Sequence, residues 1–128
     1  MSYPEELFYT QEHEWLGLNG DIATLGITHY AQEQLGDIVF VELPAVGAKF
    51  QAGDSLGVVE STKSVSDIFI PIAGTVIEVN DPVVEEPSLV NEDAYGEGWL
   101  VKIKMDNPKS ASKLMTSEQY QAFLEERS

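Results

Sequence analysis

Residues 57–70 read Gly-Val-Val-Glu-Ser-Thr-Lys-Ser-Val-Ser-Asp-Ile-Phe-Ile. Two apolar, largely β-branched runs flank four small or polar residues that include one lysine. This pattern predicts a β-hairpin whose turn lies near Ser61 to Ser64. The hairpin would place Lys63 at its tip, where the side chain is open to solvent.

Lys63 is unusual because basic residues are scarce. Between Met1 and Val101 the only lysines or arginines are Lys49 and Lys63. An exposed amine on a four-carbon stem can be acylated by a modifying enzyme, and the small neighbours Ser61, Thr62 and Ser64 leave room for its pocket. We therefore hypothesise that Lys63 carries a covalent cofactor. The alternative is a solvated turn lysine without a role.

Segments on both sides of the hairpin predict a mainly β (α+β) fold. Alternating apolar residues and turn signals predict strands, and capping residues predict helices. The predicted elements are a strand at 7–10, a hairpin with its turn at Asn19-Gly20 and its second strand at 22–27, a helix at 29–35 between Thr28 and Gly36, a strand at 37–43, a strand at 99–105, a turn at 110–114 and a C-terminal helix that starts at the capping box 116–119.

An internal repeat relates residues 41–54 to residues 68–81 at a spacing of 27. Prolines, glycines and aspartates coincide, and Gly53 matches Asn80, both of which tolerate a positive φ in a turn. The repeat predicts two similar β units around a pseudo-two-fold axis. We expect one domain over residues 1–128, with its core at about 7–106 and a helical tail at about 110–126.

Two further expectations concern the second half of the chain. Residues 83–93 show no sustained period, which predicts an irregular stretch along the surface with a helical turn near 87–90. Alternation in the last strand predicts that Trp99, Val101, Ile103 and Met105 face the core, whereas Leu100 lies with Lys102 and Lys104 on the other face.

The composition excludes several classes of function. The 128 residues include 22 acidic and 7 basic side chains, for a net charge of −15, and no cysteine. Such a charge disfavours binding to nucleic acid or to an anionic membrane. It favours partners with basic docking surfaces, although it also simply keeps a small protein soluble. With no apolar run of about 20 residues and no targeting pattern, we expect a cytoplasmic protein. We also expect it to be a monomer.

The residue inventory argues against an independent enzyme. Phosphate-binding and dinucleotide-binding glycine motifs are missing. His13 and His29 are the only imidazoles, and neither has a second histidine at helical spacing, so we expect no metal site. A small enzyme that uses one of these histidines would need it beside Ser61 or Ser64 in space, and nothing in the sequence supports that.

Several separate segments, in order, make the chain similar to the glycine cleavage system H-protein family over about residues 7–124. The segments are 9–15 (Tyr-Thr-Gln-Glu-His-Glu-Trp), 26–32 (Gly-Ile-Thr-His-Tyr-Ala-Gln), 35–44 (Leu-Gly-Asp-Ile-Val-Phe-Val-Glu-Leu-Pro), 59–63 (Val-Glu-Ser-Thr-Lys), 66–67 (Ser-Asp), Pro71, Gly74, 78–80 (Glu-Val-Asn) and 90–100 (Val-Asn-Glu-Asp-Ala-Tyr-Gly-Glu-Gly-Trp-Leu).

The resemblance implies a barrel-sandwich hybrid of two antiparallel sheets. It also implies that the chain carries lipoate in amide linkage on Lys63 and has no activity alone. Its arm would take the aminomethyl group from a pyridoxal-phosphate glycine decarboxylase to a tetrahydrofolate-dependent aminomethyltransferase, and an FAD-dependent dihydrolipoyl dehydrogenase would reoxidise it. Glu14 and Asp67 would hold the cationic arm on the surface, unless they are only solvated carboxylates.

The hairpin also implies how lipoylating enzymes recognise the chain. Glu60, Ser61, Thr62 and Ser64 would form the recognition context of Lys63. Family members more often carry valine at position 62 and alanine at position 64, but both replacements are small. Biotin carriers share the fold and usually flank their lysine with methionines, so the residues here argue against biotin. A lipoyl relay that serves other complexes and an unmodified acidic binding module stay open as alternatives.

Overall fold

A computed structural model describes residues 3–127 and the side chains of residues 3–126. Nine strands within this range form two antiparallel sheets, which confirms the predicted fold class. The larger sheet has the order β1-β2-β3-β9-β8-β5, and the smaller has the order β4-β6-β7. The strands are β1 Phe8–Tyr9, β2 Glu14–Asn19, β3 Ile22–Ile27, β4 Ile38–Glu42, β5 Lys49–Phe50, β6 Ser55–Ser61, β7 Val65–Phe69, β8 Gly74–Val79 and β9 Val101–Met105.

Local signals place the first hairpin and the first helix as predicted. Strands β2 and β3 pair up to Asn19 and Ile22, and Gly20 between them has a φ of 64°. Helix α1 (His29–Leu35) begins after Thr28, whose hydroxyl accepts the N–H of Ala31. Gly36, with a φ of 83°, ends the helix because few other residues adopt this backbone conformation.

Strand pairing agrees with the predicted pair of related β units. One unit runs from β4 to β5 and the other from β7 to β8. Strands β4 and β7 lie on either side of β6 in the small sheet, and β5 and β8 pair with each other in the large sheet. Each unit therefore starts in the small sheet and continues into the large one. The match of Gly53 to Asn80 is wrong in conformation: Gly53 has a φ of 92°, whereas Asn80 has a φ of −88°. Asn80 instead connects the end of β8 to the segment before β9, since its side-chain N–H groups donate to the carbonyls of Glu97 and Trp99.

The main core lies between the sheets and takes buried apolar residues from both. Leu100 belongs to it with no exposed surface, so its predicted place beside the lysines is wrong. Its N–H and C=O pair with Leu25 and Asn80, and both Leu100 and the next residue, Val101, are completely buried. Alternation between a core face and a solvent face therefore fails where the chain enters β9. The buried members are Leu16, Ala23, Leu25, Ile27, Ile38, Val41, Leu56, Val59, Ile68, Ile70, Ile72, Val83, Val90, Leu100, Val101, Ile103, Met105 and Ala111.

The segment after β8 is more ordered than the sequence predicted. It forms α2 (Asp81–Glu85) and α3 (Leu89–Glu92), and both Val83 and Val90 are completely buried in the main core. The expectation of an irregular surface stretch is therefore wrong, although a helical turn near 87–90 was anticipated. Helices of one turn are too short to produce a periodic hydrophobic pattern.

The C-terminal region folds as the capping signals predicted. A 3₁₀ helix (Pro108–Lys113) leads to α4 (Ser117–Arg127). Thr116 and Gln119 exchange hydrogen bonds between side chain and backbone, which is the predicted capping box. Tyr120 is completely buried and stacks on Tyr9, with 4.8 Å between ring centroids. No helix within residues 3–127 is long and apolar enough to cross a bilayer.

Candidate cofactor-attachment site

The turn that carries Lys63 is organised by one buried serine. Ser61 is 6% exposed, and its backbone N–H donates to the carbonyl of Ser64 at 2.8 Å. Its hydroxyl oxygen accepts the N–H groups of Lys63 at 3.2 Å and Ser64 at 3.1 Å. A side chain that satisfies two turn amides fixes the backbone of the turn. Lys63 therefore leaves the hairpin from a defined position.

The hairpin tip rests on the loop between α1 and β4. The N–H of Thr62 donates to the carbonyl of Asp37 at 3.1 Å. The stem of Lys63 lies over Gly36, where an added Cβ would come within 3.3 Å of the lysine Cε. Among the described residues, no carboxylate forms an ion pair with the Lys63 amine, which is exposed. The stem is thus supported while the amine stays accessible.

Asn91 of α3 holds this supporting loop with three hydrogen bonds. Its Oδ1 accepts the N–H of Ile38 at 2.9 Å. Its Nδ2 donates to the carbonyl of Gly36 at 2.9 Å and to Oε1 of Gln32 at 2.8 Å. One side chain, from a segment more than 50 positions away, therefore holds Gly36 and Ile38, the residues on either side of Asp37.

Glu14 is a buried carboxylate near the far end of the hairpin. Only 2% of its surface is exposed, and its two oxygens accept the hydroxyl of Thr10 at 2.8 Å and the N–H of Phe69 at 3.1 Å. Burial raises the pKa of Glu14 to about 7, and the two hydrogen bonds oppose this rise. Since Glu14 lies in the large sheet and Phe69 in the edge strand β7, the carboxylate links the two sheets.

The outer face of the small sheet is acidic and partly apolar. Cross-strand pairing aligns Phe40, Glu60 and Val65 in one row next to the hairpin turn, with Phe40 46% and Val65 65% exposed. Glu42 and the exposed Asp67 lie in the next row on this face, two residues further from the hairpin turn, because both pair with the same residue of β6. A face of this composition suits a partner with basic side chains around an apolar contact.

A protein-family model described as "Glycine cleavage H-protein" matches residues 7–127, which is nearly the whole chain. The chain belongs to the glycine cleavage H-protein family. This confirms the family that the sequence motifs indicated, and with it the classification of the chain as a non-catalytic component of the glycine cleavage system.

Individual relatives agree with the family match. A glycine cleavage system H protein of Carboxydothermus hydrogenoformans is 51% identical over 123 residues, which cover 96% of this chain and 95% of the relative. The corresponding protein of Bacteroides thetaiotaomicron is 52% identical over 124 residues, which cover 97% of this chain and 98% of that protein. A crystal structure of a glycine cleavage system H protein from Mycobacterium marinum superposes with a TM-score of 0.87, at 40% identity, over 94% of this chain and 97% of that one.

The two histidines have structural partners in this family member. Nδ1 of His13 lies 2.8 Å from the hydroxyl of Tyr120. Nε2 of His29 lies 3.4 Å from a carboxylate oxygen of Glu33 in the same helix. Within residues 3–127, no cluster of three or more histidines and carboxylates has the arrangement of a metal site. These contacts give neither histidine the serine partner that a small enzyme would need.

The residues predicted for the lipoyl site do not all lie together on the surface. Ser61 is buried, so it acts through the shape of the turn, while Glu60, Thr62 and Ser64 are exposed beside Lys63. Both interpretations of Glu14 assumed an exposed carboxylate, and that assumption is wrong. Contact of an arm with Asp67 stays a prediction, and the nearest observed partner of Asp67 is the hydroxyl of Ser55, at 3.2 Å.

Sequence reasoning missed the support beneath Lys63. Gly36 was recognised as a helix stop and, like Asn91, as part of a family motif. A half-buried asparagine with three backbone or amide partners gives no local signal in the sequence, because its partners are distant along the chain. The fold alone brings Asn91, Gly36 and Lys63 together.

Proposed function

We propose that the chain is the lipoate carrier of the glycine cleavage system, with lipoate in amide linkage to Nζ of Lys63. The observation that carries this proposal is the geometry of Lys63. Its amine is exposed and forms no ion pair among the described residues, and it lies at the tip of a hairpin whose backbone is fixed by Ser61 and Asp37. Membership of the H-protein family supports the same assignment.

Acylation changes Lys63 in a way that suits a carrier. Nζ forms an amide bond with the activated carboxyl carbon of lipoate, the activating group leaves, and the amine proton passes to solvent. The positive charge disappears and the arm lengthens. When attached, lipoate supplies a disulfide that accepts the aminomethyl group of glycine and is regenerated by oxidation of the dithiol.

The proposed partners are the three enzymes that handle the arm. They are a pyridoxal-phosphate glycine decarboxylase, a tetrahydrofolate-dependent aminomethyltransferase and an FAD-dependent dihydrolipoyl dehydrogenase. Tethering to a protein that docks beside each active site raises the effective concentration of the reacting group. The acidic and apolar outer face next to Lys63 is the surface that we propose they contact.

Lipoylating enzymes are the fourth class of proposed partner. Glu60, Thr62 and Ser64 are exposed around Lys63 and are the side chains that such an enzyme would meet first. Ser61 contributes by holding the turn in one shape. We propose that Asp67, on the same face as Glu60, interacts with the cationic arm after loading.

Intact-mass analysis of the protein from its native host, with peptide mapping around Lys63, tests the proposal. We expect a lipoyl increment on Lys63 that disappears in Lys63→Arg. Lys49→Arg is the matched control, because Lys49 is an exposed lysine in a strand and should leave the increment unchanged. A biotinyl increment would assign the chain to carboxylase chemistry. Absence of any modification in cells that make lipoate would contradict the proposal.

Deletion of the gene separates glycine cleavage from a lipoyl relay. Loss of glycine cleavage with intact 2-oxoacid dehydrogenase activity is the expected result. Loss of lipoylation of the 2-oxoacid dehydrogenases as well would instead identify the chain as a donor of lipoate to other complexes.

A further inference from the structure

The support under Lys63 is bare backbone. Gly36 has a φ of 83° and a ψ of −153°, a conformation that is essentially restricted to glycine. Because it has no side chain, the lysine stem approaches it closely: a Cβ at this position would lie 3.3 Å from Cε. The direction in which the amine leaves the surface thus depends on where the backbone of this loop lies.

A continuous chain of hydrogen bonds connects Asn91 to the lysine hairpin. Asn91 bonds to Gly36 and Ile38, the two residues that flank Asp37. The carbonyl of Asp37, between them, accepts the N–H of Thr62, which directly precedes Lys63. Displacement of the loop would therefore move both contacts of the hairpin tip, namely the hydrogen bond to Thr62 and the surface under the stem.

We infer that Asn91 is a positioning residue for Lys63: through the loop of residues 36–38 it sets the position of the amine that is acylated. This inference rests on the proposed function of Lys63. Among the described residues, the Asn91 side chain forms no hydrogen bond with Lys63 or Thr62, so it acts only through the loop. Gln32, which accepts the third hydrogen bond, orients the Asn91 amide.

The chain offers a closely matched control in Asn80. Asn80 is buried, and its Nδ2 donates to two backbone carbonyls, both at 2.7 Å, as Asn91 donates to one carbonyl and one side-chain amide. Its partners belong to Glu97 and Trp99 rather than to the loop under Lys63. In Asn91→Asp and in Asn80→Asp alike, a carboxylate oxygen replaces a donor and faces two acceptor oxygens. Both variants should lose stability for the same reason.

The assay is lipoylation of the purified unmodified chain by a lipoate–protein ligase supplied with lipoate and ATP. Rates are measured at a temperature at which thermal melts show every variant folded. For Asn91→Asp we expect kcat/KM to fall about tenfold, since small misplacements of a reacting group are costly. Asn80→Asp should change kcat/KM by less than about twofold. Amide hydrogen exchange of Thr62 should accelerate in Asn91→Asp only.

Gln32→Met is the milder variant, because it removes a single acceptor of the Asn91 amide. If Asn91→Asp does not fold, Gln32→Met tests the positioning role of Asn91 in its place. It should lower kcat/KM in the same direction by a smaller factor. Unchanged kcat/KM in the folded variants, or an equal loss in Asn80→Asp, would overturn the inference. Failure of the unaltered chain to be lipoylated would instead overturn the proposed function, so the two failures are distinguishable.

Discussion

Replacement of Glu14 by glutamine should remove a specific pH dependence of stability. Glu14 is buried, and its pKa is raised from 4.5 to about 7. The folded state therefore binds the proton more tightly than the unfolded state does. The stabilisation is complete below pH 4.5, declines as the pH rises, and is lost above pH 7. In Glu14→Gln, which stays neutral at every pH, this contribution should not change.

The size of the effect follows from the pKa difference. A shift of one pKa unit corresponds to about 1.36 kcal/mol, so the shift of the Glu14 pKa from 4.5 to about 7 corresponds to about 3 kcal/mol of stability. Between pH 5 and pH 8, the free energy of unfolding of the unaltered chain should fall by about 2.5 kcal/mol relative to that of Glu14→Gln. With an m-value of about 2 kcal/mol/M in urea, the midpoints of the two proteins should shift relative to each other by roughly 1 M.

Urea denaturation of both proteins at a series of pH values is the appropriate assay, since urea does not change the ionic strength. Other carboxylates titrate in both proteins and cancel in the difference. Glu85→Gln is the matched control, because it removes a carboxyl group from an exposed position that is not among the causes of the raised pKa of Glu14. If the midpoint difference between the unaltered chain and Glu14→Gln stays constant from pH 5 to pH 8, the argument from burial is refuted.

Three further substitutions test the contacts that hold the fold and the site. Ser61→Ala should lower the free energy of unfolding by about 1 kcal/mol and slow lipoylation, because two turn amides lose their acceptor. Tyr120→Phe should cost about 1–2 kcal/mol in chemical denaturation, since its buried hydroxyl contacts a histidine nitrogen and a threonine hydroxyl. Gly26→Ala should cost about 1–3 kcal/mol, because its Cβ would lie 2.6 Å from the Trp15 indole nitrogen.

The first two of these predictions have matched controls. Ser66→Ala removes an exposed hydroxyl of the same hairpin, whose one hydrogen bond among the described residues is to the neighbouring carbonyl of Asp67. Stability and lipoylation should therefore stay unchanged. Tyr30→Phe removes a hydroxyl that forms no hydrogen bond among the described residues and should be nearly neutral. Equal losses in Ser61→Ala and Ser66→Ala would contradict the role of the buried serine. A melting temperature unchanged by Gly26→Ala would show that the indole moves aside.

Much of the fold could be predicted because its signals are local. Alternation of apolar residues placed the strands, and Asn19-Gly20 placed the first tight turn. Thr28 and Gly36 marked the ends of α1. Each of these signals reflects the conformational preference or the hydrogen bonds of a few adjacent residues, which hardly depend on the rest of the chain. The exceptions were one-turn helices such as α2, which contain too few residues to reveal a period.

The candidate site could be predicted only in part. The sequence identified Lys63 and its turn, because the apolar runs and the small residues between them are contiguous. It did not reveal that Glu14 is buried, since the environment of that carboxylate depends on Phe69, 55 positions away. Leu100 was misplaced for a related reason: Leu100 and Val101 are both completely buried, so alternation between a core face and a solvent face does not hold there.

The sequence by itself thus determined the family, the antiparallel β architecture and the lysine at a hairpin tip. Only the tertiary structure decided which groups lose their contact with water and which distant residues support that lysine. Asn91, Gly36 and Lys63 come together because packing of the sheets and short helices brings three separate segments to one place. Burial and proximity of this kind arise from the whole core, so no short stretch of sequence specifies them.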